Sequence, residues 1–247
     1  DAATLRARVR LPRSAEQRRA VAGVLEQVAG AKSAFDAGRY ALALPDARLA
    51  VERARRLGYR PAEAQALLWV GKLEAANGEF AAAEEHLSAA VQSAEAGHDD
   101  EAAAQSWIAL AFLGPQSRRA EQGVVWSGFA AAAVERLGSP ERLQAQLETV
   151  LGSSDRLRGR FDSAVEHQER ALALNERVLG ADHPECAENL TALANAVVQR
   201  GDLDRALVLH SRALESRRRS LVANHPAVGG SLVNVGLILD AMGQEEA

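Results

Sequence analysis

The chain has 247 residues, 47% of them hydrophobic, with 29 basic and 33 acidic side chains and a net charge of −4. That balance argues against general polyanion binding, so no nucleic-acid partner is expected, and the length suffices for a sizeable core in one elongated body or two compact ones. A single cysteine cannot form an internal disulfide, which fits a reducing, cytoplasmic compartment.

Residues 1–16 include the arginine-rich "LRARVRLPR" and read as a linker or the truncated end of an upstream segment. The chain opens on Asp1 without an initiator methionine and stops at "GQEEA", so a longer parent is expected. No apolar run approaches the roughly 20 residues needed to span a bilayer, so no membrane partner is expected.

From residue 17 the pattern is helical. Alanine fills residues 81–83 and 130–133 while aromatics stay at 4%, a composition suited to closely packed helices. "GRYALA" at Gly38 carries a glycine, a large apolar residue two later and an alanine five later. The same signal returns as "GEFAAA" at Gly78, "GRFDSA" at Gly159 and "GDLDRA" at Gly201, and a further glycine stands at Gly243. Each repeat thus holds a first amphipathic helix, a glycine whose positive φ ends it, and a second helix. The repeats span about 17–57, 61–97, 99–138, 140–180 and 183–222, with a partial one over 225–247.

Asp99 or Asp100 in "GHDDE" reads as an ordinary helix cap. The repeat between Gly78 and Gly159 lacks the glycine signal, and its break is placed near Gly114-Pro115. Trp107, Trp126 and Phe129 suit a thicker core or a binding face, and the large area that aromatics bury favours the core. His86 and His167 fall at matching points of second helices and are expected on the solvent side.

"RALALNERVLGADHPECAENLTALA" (170–194) aligns without a gap on "RALESRRRSLVANHPAVGGSLVNVG" (212–236), so His183-Pro184 returns as His225-Pro226. Histidine beside Asp182 and Cys186 raises a metal or catalytic site, but recurrence marks a structural joint. Proline suits the first helical turn, where its missing N–H loses no partner, and Asp182 or His183 can cap that turn. Cys186 is expected to be packed rather than reactive. "SRRRS" lies late in a second helix, where positive charge suits the dipole. The last helix carries Val228, Leu232, Val235, Leu239 and Met242 at helical spacing, with Leu237 and Ile238 beside them. With no second helix after it, part of this stripe is expected to face water or to self-associate.

Kinase, P-loop, serine-hydrolase and zinc-protease motifs are all missing from the sequence. The chain is therefore read as a non-enzyme with no catalytic residues, cofactor or metal site.

The Gly-x-(Tyr/Phe)-x-x-Ala signal, with Gly or Ala seven residues before it (Ala31, Gly71, Gly152, Ala194, Gly236), resembles tetratricopeptide repeats. The longer repeats ending "LG-x-DHP" resemble those of kinesin light chain and its bacterial relatives, although the Asn pair of "LNNLA" is replaced by "LTALA" and "LVNVG". The resemblance covers about residues 17–247 and is strongest from 141 onward. "AGRYALAL", "GVVWSGFAAAAVERLG" and the His-Pro repeats also look like the C-terminal region of bacterial serine/threonine protein kinases.

The resemblance implies an all-α solenoid, a right-handed superhelix of antiparallel helix pairs, with a groove lined by first helices that binds a peptide or protein segment. It implies groove contacts at Leu68, Lys72 and Ala75, at Thr149, Ser153 and Arg156, and at Thr191, Asn195 and Val198. Lys72, Arg156 and Asn195 would favour a segment with negative charge or a free carboxylate. The alternatives are the repeat region of a bacterial signalling or transcriptional regulator, or a purely structural oligomerisation array.

Overall fold

The computed structural model describes residues 12, 14–221 and 225–245. Among these residues eleven helices follow one another: α1 (Ala15–Asp36), α2 (Tyr40–Leu57), α3 (Arg60–Ala76), α4 (Phe80–Gly97), α5 (Asp100–Gln116), α6 (Ala120–Arg136), α7 (Glu141–Leu157), α8 (Phe161–Leu179), α9 (Pro184–Gln199), α10 (Leu203–Ser220) and α11 (Pro226–Glu245). No described residue is in a strand. Most of the expected upstream segment, residues 1–11 and 13, lies outside the described residues. Ser14 caps α1, its hydroxyl accepting from the Gln17 N–H at 3.0 Å.

The chain divides into two compact units, residues 1–138 and 139–247. In the first, α1 to α6 each pack on the next, and the first helices α1, α3 and α5 also touch in sequence. In the second, α7 to α11 do the same, with α7 touching α9. Small residues make this close packing possible. Ala50, Ala54, Ala64, Ala90, Ala94, Ala103 and Ala104 are fully buried in the first unit, as are Ala164, Ala171, Ala194 and Ala213 in the second.

One backbone device closes every helix pair. The N–H just past the turn reaches back to a carbonyl of the helix's last turn: Glu79 to Glu74 (2.8 Å), Arg119 to Gly114 (2.8 Å), Arg160 to Asp155 (2.9 Å) and Asp202 to Val197 (3.3 Å). This six-to-one bond needs a residue with positive φ between its partners. Gly78 (φ 81), Gly159 (φ 73) and Gly201 (φ 81) supply it, and in the third pair the residue is Arg118 (φ 61). The expected break near Gly114-Pro115 is therefore corrected, since α5 continues through Pro115 to Gln116. The turn comes three residues later, on an arginine that carries no glycine signature. A non-glycine residue in this conformation costs roughly 1–2 kcal/mol. Arg118→Gly is expected to raise the stability of the first unit by about 1 kcal/mol, read as a higher urea midpoint with unchanged slope.

In the second unit the His-Pro joints act as helix starts. His183 Nδ1 accepts from the Glu185 N–H at 3.2 Å, and His225 Nδ1 accepts from the Ala227 N–H at 3.1 Å. Cys186 is buried, its thiol donating to the Gly180 carbonyl at 3.3 Å. Burial first, then the neighbouring Glu176, Glu185 and Asp182, push that thiol up to about 11, so it stays protonated and inert. In the first unit Asp99 caps α5 by accepting from the Ala102 N–H at 3.0 Å.

The expectation that no apolar run approaches bilayer-spanning length is corrected on α11. Pro226–Gly243 is long and apolar enough to cross a membrane by length and composition. Its glycines and small residues interrupt the run of large apolar side chains, but Asp240 is its only charged residue.

Candidate functional site

The expected groove positions fall on first helices, and the two units present different chemistry there. In the first unit Leu68 is 1% exposed. It belongs to the core, which corrects its assignment to the groove, while Lys72 and Ala75 are half-buried beside it. The Lys72 ammonium sits over the Trp69 ring, 4.6 Å from the ring centre, where the ring quadrupole attracts it. Trp69 meets Phe35 edge-on at 5.8 Å, and Phe35 meets Tyr40 at 5.1 Å. Sequence reasoning missed this aromatic floor. Its signal was available: Phe35 and Trp69 stand three and nine residues before turn glycines, both on first helices as Lys72 is.

Farther along the first unit, Trp126 is buried as the core reading expects. Trp107 is half-buried and lies 4.8 Å from the Phe129 ring, and Phe129 is exposed together with Val125 and Phe112. The three aromatics thus divide between core and surface.

In the second unit two threonines are committed to holding helices together. The Thr149 hydroxyl donates to the Ala145 carbonyl (2.9 Å) and accepts from Asn189 Nδ2 (2.8 Å), and Asn189 accepts in turn from Asn175 Nδ2 at 2.6 Å. The Thr191 hydroxyl donates to the Ala187 carbonyl (2.9 Å) and accepts from Arg217 (3.1 Å), which also donates to the Ser231 hydroxyl at 2.5 Å. Residues 149, 175 and 189 each lie 42 before 191, 217 and 231, so the same three-way contact is built twice. Arg217 therefore faces inward and is not a solvated dipole partner. Burial lowers its pKa, and Glu188 acts against that effect. Arg219 is the member of "SRRRS" that meets Asp182, at 2.5 Å.

The other positions on this face are less constrained. Ser153 donates to the Thr149 carbonyl at 3.0 Å, and Val198 packs against the buried cluster of α8, α9 and α10. Among the described residues Arg156 is half-buried with no ion pair, and Asn195 is exposed. Most other arginines of this unit are spoken for, as Arg142 is by Glu185 (2.9 Å), Arg177 by Glu141 (2.8 Å) and Arg212 by Glu176 (3.2 Å). A shallow depression between α7 and α8 is lined by Gln144, Glu148, Arg170, Ala173, Leu174 and Arg177, but its two arginines are already paired with Glu148 and Glu141.

His86 and His167 are half-buried and bonded to acids of the paired helix, which corrects their placement on the solvent side. His86 Nδ1 donates to Glu74 at 2.7 Å, and the fully buried Glu74 also accepts from Arg48 at 2.8 Å. In the second unit His167 Nδ1 meets Glu148 at 2.7 Å, and its Nε2 lies 3.6 Å from Asp155. Glu74 and Asp155 each stand four residues before a turn glycine, and the two histidines eight after it. The acid and histidine join the two helices of a pair. Among the described residues no cluster of three or more metal-binding side chains forms.

The tetratricopeptide repeat family matches residues 143–219. BtubC (BKLC) from P. vanneervenii superimposes with a TM-score of 0.66 at 22% identity, over 89% of this chain and 84% of that one. A thermophilic TPR protein of Thermus thermophilus gives 0.60 at 22% identity, over 87% and 98%. The chain has the tetratricopeptide-repeat fold. Putative kinesin light chain repeats from Podosopora anserina share that tetratricopeptide-repeat arrangement, with a TM-score of 0.57 at 18% identity over 74% of this chain and 88% of theirs. No curated protein sequence matches the chain. The tetratricopeptide family match lies wholly within the second unit, where the 42-residue register and the His-Pro joints are found.

Proposed function

We propose that this chain is a protein–protein interaction scaffold whose second unit binds an extended peptide or protein segment through a carboxylate. The observation that carries this reading is Arg156, a half-buried guanidinium on the first-helix face of α7 that has no acidic partner among the described residues. Ser153 lies one turn away on α7, and exposed Asn195 stands at the matching position of α9. A planar guanidinium suits bidentate recognition of a side-chain or terminal carboxylate. Asn195 adds amide donors and acceptors for an extended backbone. The first unit offers an aromatic floor, with the charge of Lys72 held against Trp69.

In this proposal the scaffold works in the cytoplasm as the docking or sensory region of a larger bacterial serine/threonine protein kinase. The support is the sequence resemblance noted above, and sequencing the parent gene upstream of Asp1 tests it directly.

The test of the binding site is an array of peptides bearing internal or C-terminal carboxylates, probed with the wild type, Arg156→Glu and Asn195→Ala. Arg156→Glu is expected to weaken the best peptide at least tenfold, or about 1.4 kcal/mol, with its urea midpoint essentially unchanged. Equal affinity for wild type and Arg156→Glu removes the site from this face.

A further inference from the structure

We propose that Arg217 is an anion-binding residue of the second unit, whose guanidinium takes one carboxylate of a bound segment on the first-helix face between α9 and α11. The proposal rests on the reading of this unit as a carboxylate-binding surface, and it adds to Arg156 a contact supplied by a second helix. Arg217 is half-buried, and its two hydrogen bonds both leave from Nη1, to the Thr191 and Ser231 hydroxyls. Those hydroxyls donate in turn to the Ala187 and Ala227 carbonyls of their own helices. They therefore offer the guanidinium lone pairs and no negative charge. Nε and Nη2 have no partner among the described residues, and neither is one of the buried unpaired atoms of this unit.

Bridging the helices does not require a charge at this seat. Asn175 stands 42 residues before Arg217 and joins α8 to α9 as a neutral amide, through Asn189 to Thr149 on α7. Both seats draw on two first helices and the second helix between them, so the set of partners at Arg217 is as complete as that at Asn175. At the later seat the bridge is a cation. Other bonded arginines of the unit meet carboxylates, as Arg142 does Glu185, Arg170 Glu148, Arg205 Glu169 and Arg212 Glu176. A guanidinium withdrawn from water with only hydroxyls at hydrogen-bond distance leaves part of its lost hydration unreplaced. An incoming anion replaces it.

The chemistry of the seat selects the ligand. The Nε–H and one Nη2–H lie along one edge of the planar guanidinium and match the two oxygens of a carboxylate. Glu188 is exposed one turn before Thr191 on α9, and its charge reaches Arg217. Its repulsion weighs more heavily on a phosphate, with a charge of about −1.5 to −2, than on a singly charged carboxylate. Asn195 is exposed one turn after Thr191 on the same helix, where its amide can bond the backbone beside that carboxylate.

Nuclear magnetic resonance of the whole chain tests this, read at the side-chain Nε–H signals of Arg217, Arg156 and the exposed Arg218, each assigned through its own lysine variant. The titrants are N-acetylglutamate α-amide, its glutamine counterpart and N-acetylphosphoserine amide, at constant ionic strength. The Arg217 signal is expected to shift saturably with the glutamate compound, at about a tenth of the concentration that moves Arg218, and to stay in place with glutamine. The Asn195 amide signal should follow the same curve in the wild type and lose it in Arg217→Asn. That variant is expected to keep the wild-type circular dichroism, since the earlier copy carries asparagine at this seat. An Arg217 signal that moves no more than that of Arg218 overturns the proposal. One that moves first with phosphoserine also overturns it and assigns the seat to a phosphorylated segment. A response at Arg156 alone removes Arg217 and leaves the carboxylate reading of the unit standing, whereas a response at Arg217 alone removes Arg156 from that reading.

Discussion

Gly114→Ala is expected to destabilise the first unit by about 3 kcal/mol, at the upper end of overpacking costs. An added Cβ would lie 2.5 Å from Gly123 Cα and 2.8 Å from Gly123 N, with the Arg119 carbonyl at 3.1 Å. These are backbone atoms, so no side chain can swing aside and α5 must part from α6. That separation would loosen Leu110, Leu113, Trp126 and Ala130, all buried in this unit. Alanine's higher helix propensity, worth about 1 kcal/mol over glycine, acts in the opposite direction and is outweighed. Gly23→Ala on α1 is the control, because nothing lies within 4 Å of its added Cβ. There only the propensity gain remains, up to about 1 kcal/mol. Trp69, Trp107 and Trp126 are the chain's three tryptophans and all lie in the first unit, so fluorescence-monitored urea unfolding reports on it alone. Equal midpoints for the two variants would show that α5 and α6 do not approach so closely.

The acid–histidine pair of the first unit should respond to pH in a direction opposite to His210 of the second. His86 has its pKa raised above its ordinary 6.5, chiefly by its hydrogen bond to Glu74 and against the effect of burial. Its contribution is complete below about 6.5 and is lost as pH rises through the raised value. Burial alone would raise Glu74, but its bonds to His86 and Arg48 outweigh burial and hold the carboxyl below its ordinary 4.5. That contribution is present above about 4.5 and fades as pH falls through the lowered value.

His210 is 2% exposed, with Nδ1 unpaired, and burial followed by the nearby Arg217 lowers its pKa. Protonation of the unfolded chain near 6.5 then draws stability from the second unit as pH falls. Tryptophan fluorescence should therefore show His86→Gln flattening the alkaline decline. Circular dichroism should show His210→Gln flattening an acid decline that tryptophan does not report. Glutamine is the residue that stands 42 positions before His210, at Gln168. Glu74→Ala, measured near neutral pH, is expected to cost about 2 kcal/mol, because two charged or polar partners lose a buried acceptor.

The repeat register was legible because glycine at a positive-φ turn is a strong local signal, and it located four of the five turns that close helix pairs. The fifth was hidden because Arg118 adopts the same conformation, a choice that tertiary packing enforces and local propensity opposes. Glu74–His86 was invisible for a different reason: its partners come from two helices, and a lone histidine on an amphipathic helix looks solvated. On α11 the apolar spacing was clear, but which side faced inward was not. Apolar residues surround that helix, so contact with α10 selects Val228, Ile238 and Met242 and leaves Leu232 and Leu239 outside. The expected groove positions fall on the first helices α3, α7 and α9, yet Leu68, Thr149 and Thr191 are engaged in packing or inter-helix bonds. First-helix spacing places a residue on a face and does not reveal what reaches it from the neighbouring repeat.

The equal length of the last repeats has a bearing on descent. Thr149 and Thr191, Gln168 and His210, Asn175 and Arg217, and Asn189 and Ser231 hold matching places in copies offset by 42 residues. A copy of that length can be gained or lost by unequal crossing-over with every neighbouring contact still in frame. Divergence then needs only point changes at fixed addresses, such as asparagine becoming arginine at the seat shared by Asn175 and Arg217. A lineage of such chains can lengthen its array in whole copies and alter the chemistry of each copy separately.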